Sequence, residues 1–294
     1  MTRCALLMIP VAAACSSAPQ PLHPATPIAP LSLAADQHMV MIPEGQYVAG
    51  STPEERAAAY DDYQTTAGKD TARTGHWFDS EDDRHVEQAS AFRIDLMPVT
   101  QAEFAEMVTA TQMIGPTIDE AAWKQQGFAQ DFATQVARYV WSEGRPPANH
   151  EDHPVVLVTW DEATRYCKWR GEQRGEPRRL PTAAEYEKAT RGSGGLAYPW
   201  GNTYDADKLN SAVKGPGDTT PVGTYTAGAS EQGVLDMAGN VFEWTSTPFA
   251  KGQITVKGSA WEDFAGVGRG ASRHGRSPKI RHAIIGFRCA ADVQ

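Results

Sequence analysis

Four cysteines, a pair of closely spaced histidines and one dense acidic run are the first groups in this 294-residue chain whose types could do chemistry. Cys4 and Cys15 sit near the start, while Cys167 and Cys289 are far apart in the remainder. In an oxidising compartment the latter two can close a long loop as a disulfide; the other reading is two buried free thiols. His150-Glu-Asp-His153 puts two imidazoles three residues apart, as a metal pair requires. The pair precedes Pro154 in a loop and has no obvious third ligand, so the metal reading is the weaker one. The acidic cluster Asp79 to Asp83 reads as a solvated loop. Trp160, Trp169, Trp200 and Trp244 read as core residues rather than ligand platforms.

Which thiols matter depends on the N-terminus. Arg3 is followed by the apolar stretch Ala5 to Ala14, too short to cross a bilayer. It ends in small residues, as a cleavable export signal does. Ala12-Ala-Ala-Cys15 resembles a bacterial lipoprotein signal, in which cleavage leaves the cysteine as a lipidated first residue. Ordinary export without lipid is the alternative. The expected organisation is a signal over 1–14, a Ser/Pro/Ala/Gln-rich tether over 15–38 and a folded domain over 39–294. That places the domain on the periplasmic side of the envelope, held to a membrane only by lipid on Cys15. The net charge of −9 and the absence of any Lys/Arg run exclude a nucleic-acid footprint.

Within the folded region the predicted class is α+β. Residues 39 to 50 read as strand, Pro-Glu-Gly turn and strand, and Ala91 to Met97 as another strand. Residues 51 to 83 are polar and acidic and read as loop. Thr100-Gln-Ala-Glu103, Thr159-Trp-Asp-Glu162 and Thr182-Ala-Ala-Glu185 are capping boxes, in which Thr and Glu satisfy free N–H groups at a helix start. Val99 and Phe104 are placed as a hydrophobic staple on the first of these helices. Ala163, Tyr166, Cys167 and Arg170 share one face of the second. Residues 118 to 152 read as an insertion with a helix over Asp119 to Gln126. After Gly192 the pattern is Gly, Pro, Asn and short apolar runs, hence long loops on a small β scaffold.

A series of blocks resembles the formylglycine-generating enzyme, or sulfatase-modifying factor, family. They include Met41-Ile-Pro-Glu-Gly45, His153-Pro-Val-Val-Leu-Val-Thr-Trp160, Arg179-Leu-Pro-Thr-Ala-Ala-Glu-Tyr-Glu187 and Tyr198-Pro-Trp-Gly-Asn202. Gly233-Val-Leu-Asp-Met-Ala-Gly-Asn-Val-Phe-Glu-Trp-Thr245, Lys257-Gly-Ser259 and Gly286-Phe-Arg-Cys289 follow in the family's order. The resemblance implies a C-type-lectin-like fold with little regular structure and a disulfide between Cys167 and Cys289. It also implies structural calcium on the side chains of Asp236 and Glu243 and the carbonyls of Gly239 and Val241, a hard-oxygen set of the kind calcium takes. A second calcium site would begin near Asn210 and Ser211, where the loop to Thr220 is short.

The chain departs from the family at its reactive centre. Formylglycine-generating members hold copper(I) with two thiolates just after a Gly-Ser segment. Here Glu262 stands at the first of those positions and no cysteine stands near the second, so no copper is expected. The family's cleft would be lined instead by Ser259, Trp261, Glu262, Asp263, Arg273, His274 and Arg276. Of these, Glu262, Ser259, Arg273 and His274 are the candidate catalytic residues, with Glu262 as general base. A periplasmic branch of the family that matures a siderophore chromophore also relies on a Glu after Gly-Ser. The expected function is a non-copper oxidoreductase or tailoring enzyme acting on a small molecule or an exported protein or peptide. A non-catalytic binding module is the alternative.

Overall fold

The computed structural model describes residues 39–293, and the expected signal peptide, Cys4, Cys15 and the tether lie outside them. The described chain is α+β. Strands β1 (Met39–Ile42) and β2 (Gly45–Ala49) lead to helix α1 (Pro53–Ala67), a single turn α2 (Thr71–Thr74), and strands β3 (His85–Ala89) and β4 (Phe92–Asp95). Helices α3 (Gln101–Thr111), α4 (Glu120–Gln125), α5 (Trp160–Arg174) and α6 (Ala183–Arg191) follow. The C-terminal part carries β5 (Phe242–Ala250), β6 (Gln253–Gly258), β7 (His274–Arg276), β8 (Ile285–Gly286) and β9 (Ala290–Asp292). Three sheets result, ordered β1-β4-β9, β2-β3 and β7-β6-β5-β8; the β5–β8 pair is parallel and the rest antiparallel.

The three Thr-x-x-Glu signals are all reciprocal capping boxes at the starts of α3, α5 and α6. Val99 and Phe104 are buried in one core cluster, as a staple requires. Ala163, Tyr166, Cys167 and Arg170 are the buried face of α5. Cys167 and Cys289 form a disulfide, with Cα atoms 5.5 Å apart, tying α5 to the approach to β9. Around it Phe104, Tyr166 and Phe287 pack ring against ring.

The loop expected over 51 to 83 is a correction. Thr52 caps α1 with a fourth capping box, Thr52-Pro-Glu-Glu55, and α1 runs for 15 residues. Its only deeply buried residues are Ala59, Tyr60 and Tyr63, so no broad apolar stripe marks it in the sequence. Nor is the acidic run after it merely solvated: Glu81 pairs with Arg269, Asp82 with Arg273 and Asp83 with Arg56. Thr66 accepts from the Ala265 N–H, and Gly266 (φ 88°) lies so close to α1 that a Cβ there would fall 2.4 Å from the Ala59 carbonyl oxygen. This N-terminal segment is therefore the brace for residues 265 to 273. Of the four tryptophans expected in the core, Trp244 is fully buried and the other three are half-buried.

Removing the disulfide with Cys167→Ser and Cys289→Ser together should lower unfolding free energy by ~2–5 kcal/mol. Denaturant melts under non-reducing conditions measure this, and an unchanged midpoint would contradict it.

Candidate functional site

The segment that carries Glu262 is fixed from both sides. Upstream, β6 pairs with β5 in the register Phe242↔Gly258, which brings Ser259 under the Gly239-Asn240 turn. Gly239 has φ 81° and Asn240 φ 66°, a left-handed pair that Gly and Asn tolerate best. The Ser259 hydroxyl accepts the Gly239 N–H at 2.8 Å, and the Trp261 N–H donates to the Asn240 carbonyl at 3.0 Å. Downstream, Ala260 to Asp263 close on themselves. The Ala260 N–H donates to Asp263 Oδ2 at 2.7 Å, and the Asp263 N–H to the Ala260 carbonyl at 3.0 Å. Glu262 is held at the outer corner of this turn.

Glu262 is partly buried and accepts one hydrogen bond, from Gln130 Nε2 at 2.8 Å. Among the described residues no Lys or Arg pairs with it. Burial, opposed only by the Gln130 bond, raises its pKa above the ordinary carboxylate value. Asp263 next to it is pushed up to about 7 by burial, with the Glu262 charge adding and Arg276 opposing. His274 is pushed down to about 3 by burial, then by the charges of Arg276 and Lys257. Its ring stands edge-on to Phe242, with Nε2 3.4 Å from Ser272 Oγ. His282 is likewise pushed down to about 3, packed against Phe128 and Trp123. Neutral imidazoles, carboxyls with raised pKa values and one partly desolvated guanidinium are thus found here, and of these Asp263, at about 7, is the group that exchanges a proton near neutral pH.

The four candidate catalytic residues do not all meet. Glu262 is linked to His274 only indirectly, through neighbouring Asp263, whose charge Arg276 opposes, and through the effect of Arg276 on the His274 ring. Arg273 does not: its Nη1 bonds Asp82 at 2.6 Å and its guanidinium lies 5.4 Å from the Phe249 ring centroid. Side chains alternate along an extended chain, so Arg273 faces away from His274 and Arg276. The Ser259 hydroxyl is buried under Gly239, where it accepts the Gly239 N–H and fixes the turn.

Sequence reasoning missed Gln130, Arg138 and Asp218, which surround Trp261 and Glu262. Trp123 Nε1 fixes the Gln130 carbonyl at 2.9 Å. The Arg138 guanidinium lies over the Trp261 ring, 5.0 Å from its centroid, and reaches Asp218 at 3.2 Å. Trp123, Gln130 and Arg138 of this wall come from the segment read as an insertion, whereas Asp218 and Trp261 do not. The His150 and His153 rings meet at a tilt with centroids 4.5 Å apart; His153 meets Thr219 and His150 faces Asp218. A partly open cavity of about 150 Å³ lined by Ser51, Ala59, Asp62, Tyr198, Asn202 and Arg269 lies apart from these groups, against α1.

The expected calcium ligands do not fit that ion as placed. Both Glu243 oxygens bond Arg288, at 2.7 Å each, and Oε1 also accepts from Tyr186. The Gly239 carbonyl accepts from Val241 N, and Asp236 Oδ2 from Gly223 N. The Glu243 carboxylate is already paired with a buried guanidinium, which would repel a divalent ion beside it. The short Asn210 loop is closed by Asn210 Nδ2 donating to the Asp218 carbonyl at 2.8 Å.

Residues 28–293 match the Sulfatase-modifying factor enzyme 1-like domain family. The inactive C-alpha-formylglycine-generating enzyme 2 of Bos taurus is 30% identical over 238 residues, covering 68% of this chain and 77% of that protein. The hercynine oxygenase of Mycolicibacterium smegmatis (strain ATCC 700084 / mc(2)155) is 31% identical over 261 residues; the match covers 77% of this chain but only 59% of that longer protein. The structure of PvdO from Pseudomonas aeruginosa superposes with a TM-score of 0.66 at 21% identity, covering 87% of this chain and 94% of that one. The shared architecture is the C-type-lectin-like fold expected from the sequence.

Two outcomes follow from the geometry. If Arg288 is the resident cation, a calcium chelator leaves the melting temperature unchanged, whereas Glu243→Gln costs ~3–5 kcal/mol because it breaks a buried pair. A calcium-dependent melting temperature would return the four residues to ligand duty. Asp263 is raised from 3.8 to about 7, so folding favours its neutral form. Its contribution is intact below its ordinary value and is lost as pH rises toward 7. Asp263→Asn, which keeps the acceptor for Ala260, should therefore gain stability over the parent as pH rises from 4 to 7 and hold that gain above. A difference independent of pH would contradict the raised value. The histidines at about 3 act oppositely, costing stability as pH falls below 6.5, and cancel in this comparison.

Proposed function

Because the chain belongs to the sulfatase-modifying factor family, we propose that it is an exported tailoring enzyme of the oxidoreductase type, with Glu262 as general base where other members carry thiolates. The observation that carries the reading is Glu262 itself. It is a partly buried carboxylate with a single amide partner, no ion pair among the described residues, and a raised pKa. A carboxylate of this kind is free to take up a proton rather than locked in a salt bridge. The kinship to a hercynine oxygenase supports a small molecule as substrate.

The donors present do not fit copper(I). The described thiols are consumed in one disulfide, and position 262 offers a hard oxygen. In the reading proposed here the substrate loses two protons and two electrons. Glu262 takes the first proton from the atom being oxidised, and dioxygen receives both electrons and both protons as hydrogen peroxide. Neutral His274 and Arg276 orient the substrate beside it. Attachment to a membrane through Cys15 and a periplasmic location belong to this proposal.

A second reading, a non-catalytic ligand-binding module, is favoured by Ser259 and Arg273. Both are tied into structural contacts away from Glu262. Purified protein incubated with fractionated small-molecule extracts distinguishes the two by oxygen consumption and peroxide release. The enzyme reading predicts turnover that falls at least ~100-fold in Glu262→Gln. Full activity in the variant would refute the base. A protein that retains a small molecule but turns nothing over would be the binding module.

A further inference from the structure

Three nitrogen atoms of the wall beside Glu262 are buried and lack a hydrogen-bond partner: Arg138 Nε, Trp261 Nε1 and His150 Nε2. Folded proteins pair nearly all such groups, so each unpaired one calls for an explanation. These three are contiguous. Arg138 stacks 5.0 Å over the Trp261 ring, and both Arg138 and His150 face Asp218, at 3.2 and 3.5 Å. The Trp261 side chain is more than nine-tenths buried, and an indole nitrogen only donates. Arg138 already uses Nη1 on Asp218 and Nη2 on the Gly217 carbonyl at 3.0 Å, leaving its Nε edge unused. The charge of Asp218 is shared among Arg138, the Tyr139 hydroxyl and the Thr219 N–H, so it does not fully quench the guanidinium.

We propose that the stacked Arg138–Trp261 pair anchors a carboxylate of the ligand. A guanidinium edge and an indole N–H present donors only, and an anionic acceptor satisfies both at once. The subsite adjoins the proposed base: Trp261 precedes Glu262 in the chain, and Gln130 of the same insertion bonds the Glu262 carboxylate. This deepens the functional reading above and rests on it only in taking the Glu262 cleft as the place where substrate sits. The substrate class is then a small carboxylic acid, such as an amino acid or peptide end, with its reacting atom one short span from the carboxylate.

The test uses the full chain and the probe N-acetylglycine, with the neutral N-acetylglycinamide as control. The indole N–H resonance of Trp261, identified by its loss in Trp261→Phe, is followed by NMR. The proposal predicts a saturable shift with the carboxylate and none with the amide. Arg138→Met should weaken the carboxylate titration at least ~10-fold. Arg138→Lys, which keeps a charge beside Asp218, should weaken it too. Glu262→Gln should still show a saturable shift with the carboxylate and none with the amide, so loss of the base reading leaves this result standing. An equal shift with the amide, an unmoved indole, or an unchanged titration in both folded Arg138 variants would overturn the subsite, leaving solvent as the partner of these donors.

Discussion

Arg288 and Glu243 are both 0% exposed, and they meet through two bonds of 2.7 Å. Removing two charges from water costs several kcal/mol per ion, so such a pair persists only when every remaining donor is used. Here they are: Arg288 also donates to the carbonyls of Asp95, Leu96, Leu235 and Asp236. One guanidinium thereby gathers the end of β4, the loop before the Gly239-Asn240 turn, β5 and the C-terminal segment. The disulfide at the next residue joins that assembly to α5. Tyr186 brings in α6 through Glu243, and burial beside Glu243 holds its hydroxyl well above the ordinary tyrosine value. A chain with so little regular secondary structure needs a hub of this sort, because its long loops have no ladder to hold them.

The position of Glu262 is a consequence of that hub. Arg288 sets Leu235 and Asp236, and the following turn presents the Gly239 N–H to Ser259 and the Asn240 carbonyl to Trp261. Three residues later the Ala260–Asp263 turn projects Glu262 toward Gln130. The far side of the segment is braced by the N-terminal acidic residues through Arg269 and Arg273. Buried charge is thus spent on framework, at Glu243, Glu187 and Glu81, while Glu262 is left with a neutral partner. That difference in partner, not in residue type, separates a structural carboxylate from one free to exchange a proton.

What was legible in the sequence is what depends on neighbours within one turn. The boxes at Thr100, Thr159 and Thr182 act over three residues, and each marks a helix. Thr52-Pro-Glu-Glu55 carries the same signal, but α1 has so few buried residues that the acidic composition outweighed it. The fold and Glu262 itself were reached through motif order, which long-range packing preserves. Arg273–Asp82 spans 191 residues and Glu262–Gln130 spans 132, and no local pattern encodes such partners. The carboxylates expected to bind calcium show the same gap. Their types suit a metal, and only the three-dimensional placement of Arg288 reveals a competing cation.

The central claim is that Glu262 is a protonatable base rather than an ion-pair carboxylate. Its titration can be read directly from the side-chain carboxyl resonance of ¹³C-glutamate-labelled protein, assigned by comparison with Glu262→Gln. The account predicts a midpoint above 4.5, the ordinary value from which burial raises it. A midpoint at or below 4.5 would mean that a cation or additional donors hold the carboxylate ionised, and would contradict the account.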